Sequence, residues 1–152
     1  MRTSLFLLGV LLLAGGGCRT TPAPRADFAA PGWTVLSGQA VWKPSANRPE
    51  LTGDLLVATN ANGSCFMQFS KMPFPLVTAQ TTDNQWQIEF GASASAWHGR
   101  NPPPGRFAWF QLPRALLGAT LDRPWRFTPA TNSLWRLENP DTGETVEGIV
   151  SP

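Results

Sequence analysis

One histidine, His98, and two cysteines, Cys18 and Cys65, are the side chains of this sequence best suited to nucleophilic or metal chemistry. A single imidazole cannot build a histidine metal cluster, and any Ser-His-Asp or Cys-His arrangement would have to use His98. Cys65 stands in an apolar segment beside Phe66 and Met67, which favours a buried small hydrophobe over a nucleophile. The residues therefore predict no catalytic group, no metal site and no cofactor.

The acidic side chains are scattered, mostly at turns or at alternate positions of candidate strands. A glycosidase-type pair needs two carboxylates about 5 to 10 Å apart across a cleft, and solvated strand faces explain the observed spacing better. The carboxylates considered are Asp54, Glu89, Asp122, Glu138, Asp141, Glu144 and Glu147. The sequence also contains no Walker, GxSxG or CxxC pattern. An enzyme therefore ranks third, after the two binding functions given at the end of this subsection, and it would depend on His98.

The charge pattern excludes one class of partner. There are 12 Lys and Arg residues against 10 Asp and Glu residues, a net charge of +2, and no run of five basic residues. Nucleic-acid binders carry a concentrated basic surface, because neutralising phosphates supplies much of their affinity. The sequence therefore predicts no nucleic-acid partner.

The N-terminal residues have the order of a targeting segment. Arg2 precedes an apolar run over residues 5–13, and small residues at 14–17 lead to Cys18. Nine apolar residues are too few for the roughly 20 that a membrane-spanning helix needs. A cysteine directly after small residues resembles the lipobox of bacterial lipoproteins. The resemblance implies a signal peptide over residues 1–17 and acylation of Cys18. The alternative is cleavage nearby by an ordinary signal peptidase, which leaves Cys18 as a thiol.

That resemblance also implies where the protein resides. Acyl groups on Cys18 would hold the mature chain on a membrane without an apolar helix. The residue after the cysteine is Arg19, whereas inner-membrane retention resembles an Asp-type signal. We therefore expect a lipid anchor in the outer membrane, with the protein facing the periplasm. Residues 18–30 are rich in Pro, Ala and Thr and are predicted to be a tether, followed by a single β domain over residues 31–152.

The rest of the chain is typical of a turn-rich β protein, with 14 Gly and 15 Pro residues. Apolar residues alternate with polar or small ones in several segments, and the alternation is cleanest over Gln85–Phe90. Residues 91–105 lack such a pattern and are expected to be irregular. Pro113 suits the first position of a helix and Gly118 its end, so a short helix is predicted over residues 112–118. Strands are predicted at 33–42, 51–59, 64–69, 76–80, 85–90, 133–138 and 144–150.

Sequential strands joined by turns predict a mainly β fold. We expect a curved antiparallel meander or incomplete barrel, with the one short helix packed on or near its concave face. The layout resembles the LolA/LolB-like envelope proteins in three pieces, which are residues 32–38, residues 53–57 and the helix segment 112–118. The resemblance implies an incomplete barrel that is plugged by helices and binds acyl chains.

Aromatic residues are the most unusual feature of the composition, with seven Trp, nine Phe and no Tyr. Filling of the core explains many of them, Trp33 and Trp86 included. A small domain has room for few large rings, however, and the surplus would line a cavity or face a membrane. The predicted ligand-binding residues are Trp33, Trp42, Trp86, Trp109 and Phe110.

The segment from Met72 to Leu76 carries three large apolar side chains between Pro73 and Pro75. Prolines interrupt a strand ladder, so Met72, Phe74 and Leu76 are predicted to form an exposed loop that contacts a membrane or a partner. The alternative is a loop that folds back onto the sheet edge.

Two functions follow from these patterns. The first is a membrane-anchored lipoprotein that binds an acyl chain, or the lipidated end of a protein, in a curved sheet. The second is an accessory envelope lipoprotein that docks a protein partner through a sheet edge or the apolar loop.

Overall fold

The computed structural model describes residues 24, 26–93, 95–131 and 134–152. Cys18, the predicted signal peptide and most of the predicted tether lie outside these residues. Within the described residues, nine strands form one open antiparallel sheet with a single short α-helix, which confirms the mainly β expectation. The strands are β1 (Trp33–Lys43), β2 (Leu51–Asn60), β3 (Cys65–Lys71), β4 (Phe74–Thr81), β5 (Gln85–Phe90), β6 (Ser95–Arg100), β7 (Arg126–Thr131), β8 (Leu134–Asn139) and β9 (Glu144–Ser151).

The sheet is a meander in which one pair of neighbouring strands is distant in sequence. Its strand order is β6-β5-β4-β3-β2-β1-β9-β8-β7, so every neighbouring pair except β1 and β9 is consecutive in sequence. Strands β6 and β7 form the two edges. Short turns join most strands because consecutive antiparallel strands need only a hairpin connection. The sheet has two loop ends. We call the end with the β1–β2, β3–β4, β5–β6 and β8–β9 connections the front end, and the opposite end the back end.

The inner face of the sheet is built by strict alternation. One row of directly paired residues crosses β2 to β5, with Val57 beside Met67, Met67 beside Ala79 and Ala79 beside Ile88. All four are at most 1% exposed. Side chains of a strand point to opposite faces in turn, so a matched register gathers these apolar groups on one face.

Helix α1 (Ala108–Leu116) packs on this inner face and contacts β2, β3, β4, β8 and β9. Contact with strands from both halves of the sheet requires the sheet to curve around the helix. The expected start of the helix is wrong, because Pro113 lies inside it and not at its first position. Burial of Trp109 and Phe110 on the earlier turn outweighs the backbone hydrogen bond that an internal proline removes.

The expected end of the helix is confirmed. Gly118 has a φ of +72°, and the amide of Ala119 donates to the carbonyl of Arg114 at 2.9 Å. These two features are those of a Schellman cap, which needs a left-handed residue after the last helical turn.

The expectation of an irregular segment over residues 91–105 is wrong in part. After the short 3-10 helix Gly91–Ser93, residues Ser95–Arg100 form the edge strand β6 and pair with β5. An edge strand needs apolar side chains only where it meets the core, and Trp97 supplies one by packing on Phe90 and Phe107. A full alternating pattern is therefore not required of such a strand.

The described part of the predicted tether lies against the outer face of the sheet. The Phe28 ring contacts Trp33 at 5.6 Å and Phe66 at 5.1 Å between centroids, both edge to face. The side-chain amide of Gln80 on β4 donates to the carbonyl of Pro24. This segment therefore covers apolar surface that β1 and β3 would otherwise expose.

Candidate functional site

The predicted ligand-binding rings do not enclose one cavity. Trp109 is 1% exposed, stacks on Phe69 at 5.4 Å and meets Trp42 edge to face at 5.2 Å. Phe110 packs against Trp86 at 5.8 Å. The rings of helix α1 therefore fill the middle of the curved sheet. Packing in the core explains why these rings are buried.

Trp33 is separated from the other four predicted ligand-binding residues. It lies on the outer face with Phe28, whereas the others point to the inner face. Side chains alternate along β1, and Ala40 and Trp42 point to the inner face. Trp33 is an odd number of positions away from both, so it points to the outer face. The expectation that Trp33 shares a site with the other rings is therefore wrong.

An apolar pocket of about 410 Å³ opens at the front end, and we call it the rim pocket. Its volume is within the range of small-molecule sites, roughly 300 to 1,000 Å³. Trp42 lies near the end of β1, Leu51 opens β2 and Phe90 closes β5, and the loops that follow β1 and β5 supply half of the lining residues. The lining residues are Trp42, Pro44, Arg48, Pro49, Leu51, Leu76, Phe90 and Ser93.

A β-bulge brings Leu76 into this wall. The register of β3 and β4 shifts from Phe69 opposite Val77 to Ser70 opposite Pro75, which leaves Leu76 as the extra residue. A bulge redirects a side chain relative to the regular alternation. Leu76 is accordingly half-buried and packs on the core, although Val77 beside it also points inward.

The front end also exposes two of the three predicted contact residues. Met72 is 84% exposed and Phe74 is 69% exposed. Leu76 differs, because it belongs to the rim pocket. The expected loop is wrong in part, because Phe74 opens β4 and pairs with Lys71, so the exposed residues form the tip of the β3–β4 hairpin and Leu76 belongs to the wall of the adjacent pocket.

Glu144 is a functional candidate that the sequence pattern placed wrongly on a solvated strand face. Its carboxylate accepts a hydrogen bond from the Trp42 indole Nε1 at 3.0 Å. Burial raises the pKa of Glu144 to about 7, although the bond from Trp42 acts in the opposite direction. The strand alternation could have revealed this, because Glu144 lies two positions from the buried Val146 and shares its inward face of β9.

A second pocket, of about 300 Å³, lies at the back end. Its lining includes Cys65, Phe110 and Leu117. Burial raises the pKa of the Cys65 thiol, whose sulfur accepts a hydrogen bond from the Thr81 hydroxyl at 3.2 Å. A thiol with a raised pKa is protonated at neutral pH and is a poor nucleophile. Cys65 therefore forms part of an apolar wall.

The groups considered for catalysis are not brought together. Cys65 is on β3 and His98 on β6, three strand spacings or about 14 Å apart, and they have opposite parity. Among the described residues, no group of three or more His, Cys, Asp or Glu could hold a metal ion. Within the same part of the chain, no helix is long and apolar enough to cross a membrane.

No family model matches the sequence. No curated protein gives a significant match either. The geometry of the front end is therefore the basis of the functional proposal.

Proposed function

We propose that this protein is a membrane-anchored envelope lipoprotein that binds an acyl chain in the rim pocket. The function class is the one implied by the resemblance to LolA/LolB-like proteins, but the ligand site lies at the front end and not in the middle of the sheet. One observation carries the proposal: an apolar pocket of about 410 Å³ adjoins an exposed apolar turn. A methylene chain gains about 0.8 kcal/mol for each buried CH₂ group, so such a pocket favours an acyl ligand.

Binding is tested by filling the pocket. Ser93→Trp places a large ring at the pocket lining. We expect it to lower the affinity for a fluorescent fatty acid at least tenfold. Leu117→Trp makes the same kind of change at the back-end pocket and should leave the affinity unchanged. Equal affinity of Ser93→Trp and the wild type would contradict a ligand in the rim pocket.

The anchor is tested separately. Cys18→Ser should move the protein from the outer-membrane fraction to the soluble periplasmic fraction and abolish incorporation of labelled palmitate. Cys65→Ser is the matched control, because Cys65 lies in a strand of the folded domain. Retention of Cys18→Ser on the membrane would refute the lipid anchor.

A second candidate function is docking of a protein partner, which the exposure of Met72 and Phe74 supports. A photo-crosslinking residue at position 74 should then capture a protein in the envelope. The control position is Leu134, which is also an exposed apolar residue, 52% accessible, at the back end. Protein adducts at 74 from a chain that binds no fatty acid would favour docking over acyl binding.

A further inference from the structure

Arg48 is the only charged residue among the eight described residues that line the rim pocket. Six of the others are apolar, and the remaining one, Ser93, contributes a hydroxyl group. Arg48 thus borders an apolar cavity and is at the same time exposed to solvent. This pairing of one cation with an apolar wall matches an amphiphile with an anionic head.

Two backbone hydrogen bonds hold the loop that carries Arg48, one within the loop and one to the β8–β9 turn. The amide of Arg48 donates to the carbonyl of Ser45, and the amide of Ala46 donates to the carbonyl of Thr142, both at 3.1 Å. Gly143 packs so closely that an added Cβ would lie 2.7 Å from the Ala46 Cβ. The β8–β9 turn therefore supports the backbone of the loop that carries Arg48.

The Arg48 guanidinium has no anionic partner within the described ranges. The ion pairs there involve Arg114 with Asp122, and Arg136 with two glutamates. A guanidinium presents donors in a planar fork that fits both oxygens of a carboxylate. Its charge is therefore available to a ligand.

We infer that the rim pocket takes a single-chain fatty acid whose carboxylate binds Arg48. The inference rests on the proposed acyl-binding function and adds the chemistry of the headgroup. A pocket of about 410 Å³ is near the lower end of the usual range for ligand sites, which favours one chain over a two-chain lipid. The chain lies along Trp42, Leu51 and Phe90, and the headgroup stays at the solvent side beside Arg48.

The test compares two ligands that have the same chain length and different headgroups. Binding is measured at pH 8 and at ligand concentrations below those at which micelles form. Dodecanoate and dodecanol share their chain and differ in charge. We expect the wild type to bind dodecanoate about tenfold more tightly, a ratio that corresponds to about 1.4 kcal/mol. Arg48→Gln should remove this preference, so that the variant binds the two ligands about equally. Arg48→Lys should retain part of it, and Lys71→Gln, a charge change at the same end outside the pocket lining, should retain it fully.

The outcomes separate this inference from the proposed function. Equal binding of the two ligands by the wild type, or an undiminished preference in Arg48→Gln, would overturn the role of Arg48 while the acyl site stands. Failure of both ligands to bind would overturn the acyl site itself. Dodecyl phosphate is the third probe, and tighter binding of it than of dodecanoate would replace the carboxylate assignment. A preference that weakens as salt is raised would support pairing with an exposed cation.

Discussion

The buried carboxyl group of Glu144 should make the stability of the protein fall as pH rises. Its pKa is about 7 in the folded protein, against an ordinary value of 4.5. Above pH 4.5 the unfolded chain releases this proton while the folded protein keeps it, so ionisation favours the unfolded state. The loss therefore develops between pH 4.5 and about 7 and is constant above that range.

The size of the effect follows from the two pKa values. Each pH unit between them is equivalent to about 1.4 kcal/mol, so the interval of 4.5 to about 7 gives at most about 3 kcal/mol. Glu144→Gln has no ionisable group at this position and keeps an oxygen that can accept the bond from Trp42. The difference in free energy of unfolding between the variant and the wild type should therefore grow in favour of the variant by up to about 3 kcal/mol from pH 4 to pH 8.

Urea unfolding followed by tryptophan fluorescence at these two pH values measures the difference. Glu50→Gln is the control, because Glu50 is an exposed carboxylate at the same end of the sheet. It should show the pH dependence of the wild type. Parallel pH profiles for Glu144→Gln and the wild type would refute the assignment of a raised pKa to this carboxyl group.

Three further predictions concern packing and backbone conformation. Trp109→Ala should lower the free energy of unfolding by about 3 to 5 kcal/mol in urea titrations, because the ring is 1% exposed at the centre of the core; a loss below 1 kcal/mol would contradict this. Gly118→Ala should cost about 1 kcal/mol in the same assay through its φ of +72° alone, since nothing lies within 4 Å of an added Cβ, and an unchanged midpoint would count against the cap. Phe28→Ala should speed protease cleavage near residues 24–30 with the melting temperature of the sheet little changed, whereas Leu117→Ala should not; equal cleavage rates would mean that the Phe28 contacts do not hold this segment.

Much of the sheet could be predicted because its strands carry their own pattern. Gln85–Phe90 alternates cleanly, and Trp86 and Ile88 are buried as that alternation requires. Strand β6 escaped prediction because an edge strand is covered on little of its surface, so its sequence lacks the alternation. The start of helix α1 escaped because tertiary burial of Trp109 outweighs the local preference of Pro113.

The rim pocket depends on relations that no local pattern encodes. Leu76 reaches it through a bulge, which is a mismatch in length between two strands. Arg48 reaches it because a distant turn supports the β1–β2 loop, through the bond from Ala46 to Thr142. Glu144 meets Trp42 across 102 positions of sequence. Spacing along the chain identified the aromatic residues, but only the register of β1 with β9 decides which of them meet a carboxylate.

Under the proposed lipid anchor, the bond between Pro24 and Gln80 limits the length of the linker between the folded domain and the bilayer. From the proposed anchor at Cys18 to Pro24, which bonds to Gln80, there are six residues, which reach about 20 Å at most. If Cys18 is acylated as proposed, a linker of this length keeps the domain close to the bilayer surface. Pro24 and Phe28 meet the sheet near its back end, so under the proposed anchor the front end, which carries the rim pocket, is the end of the domain farther from the attachment point.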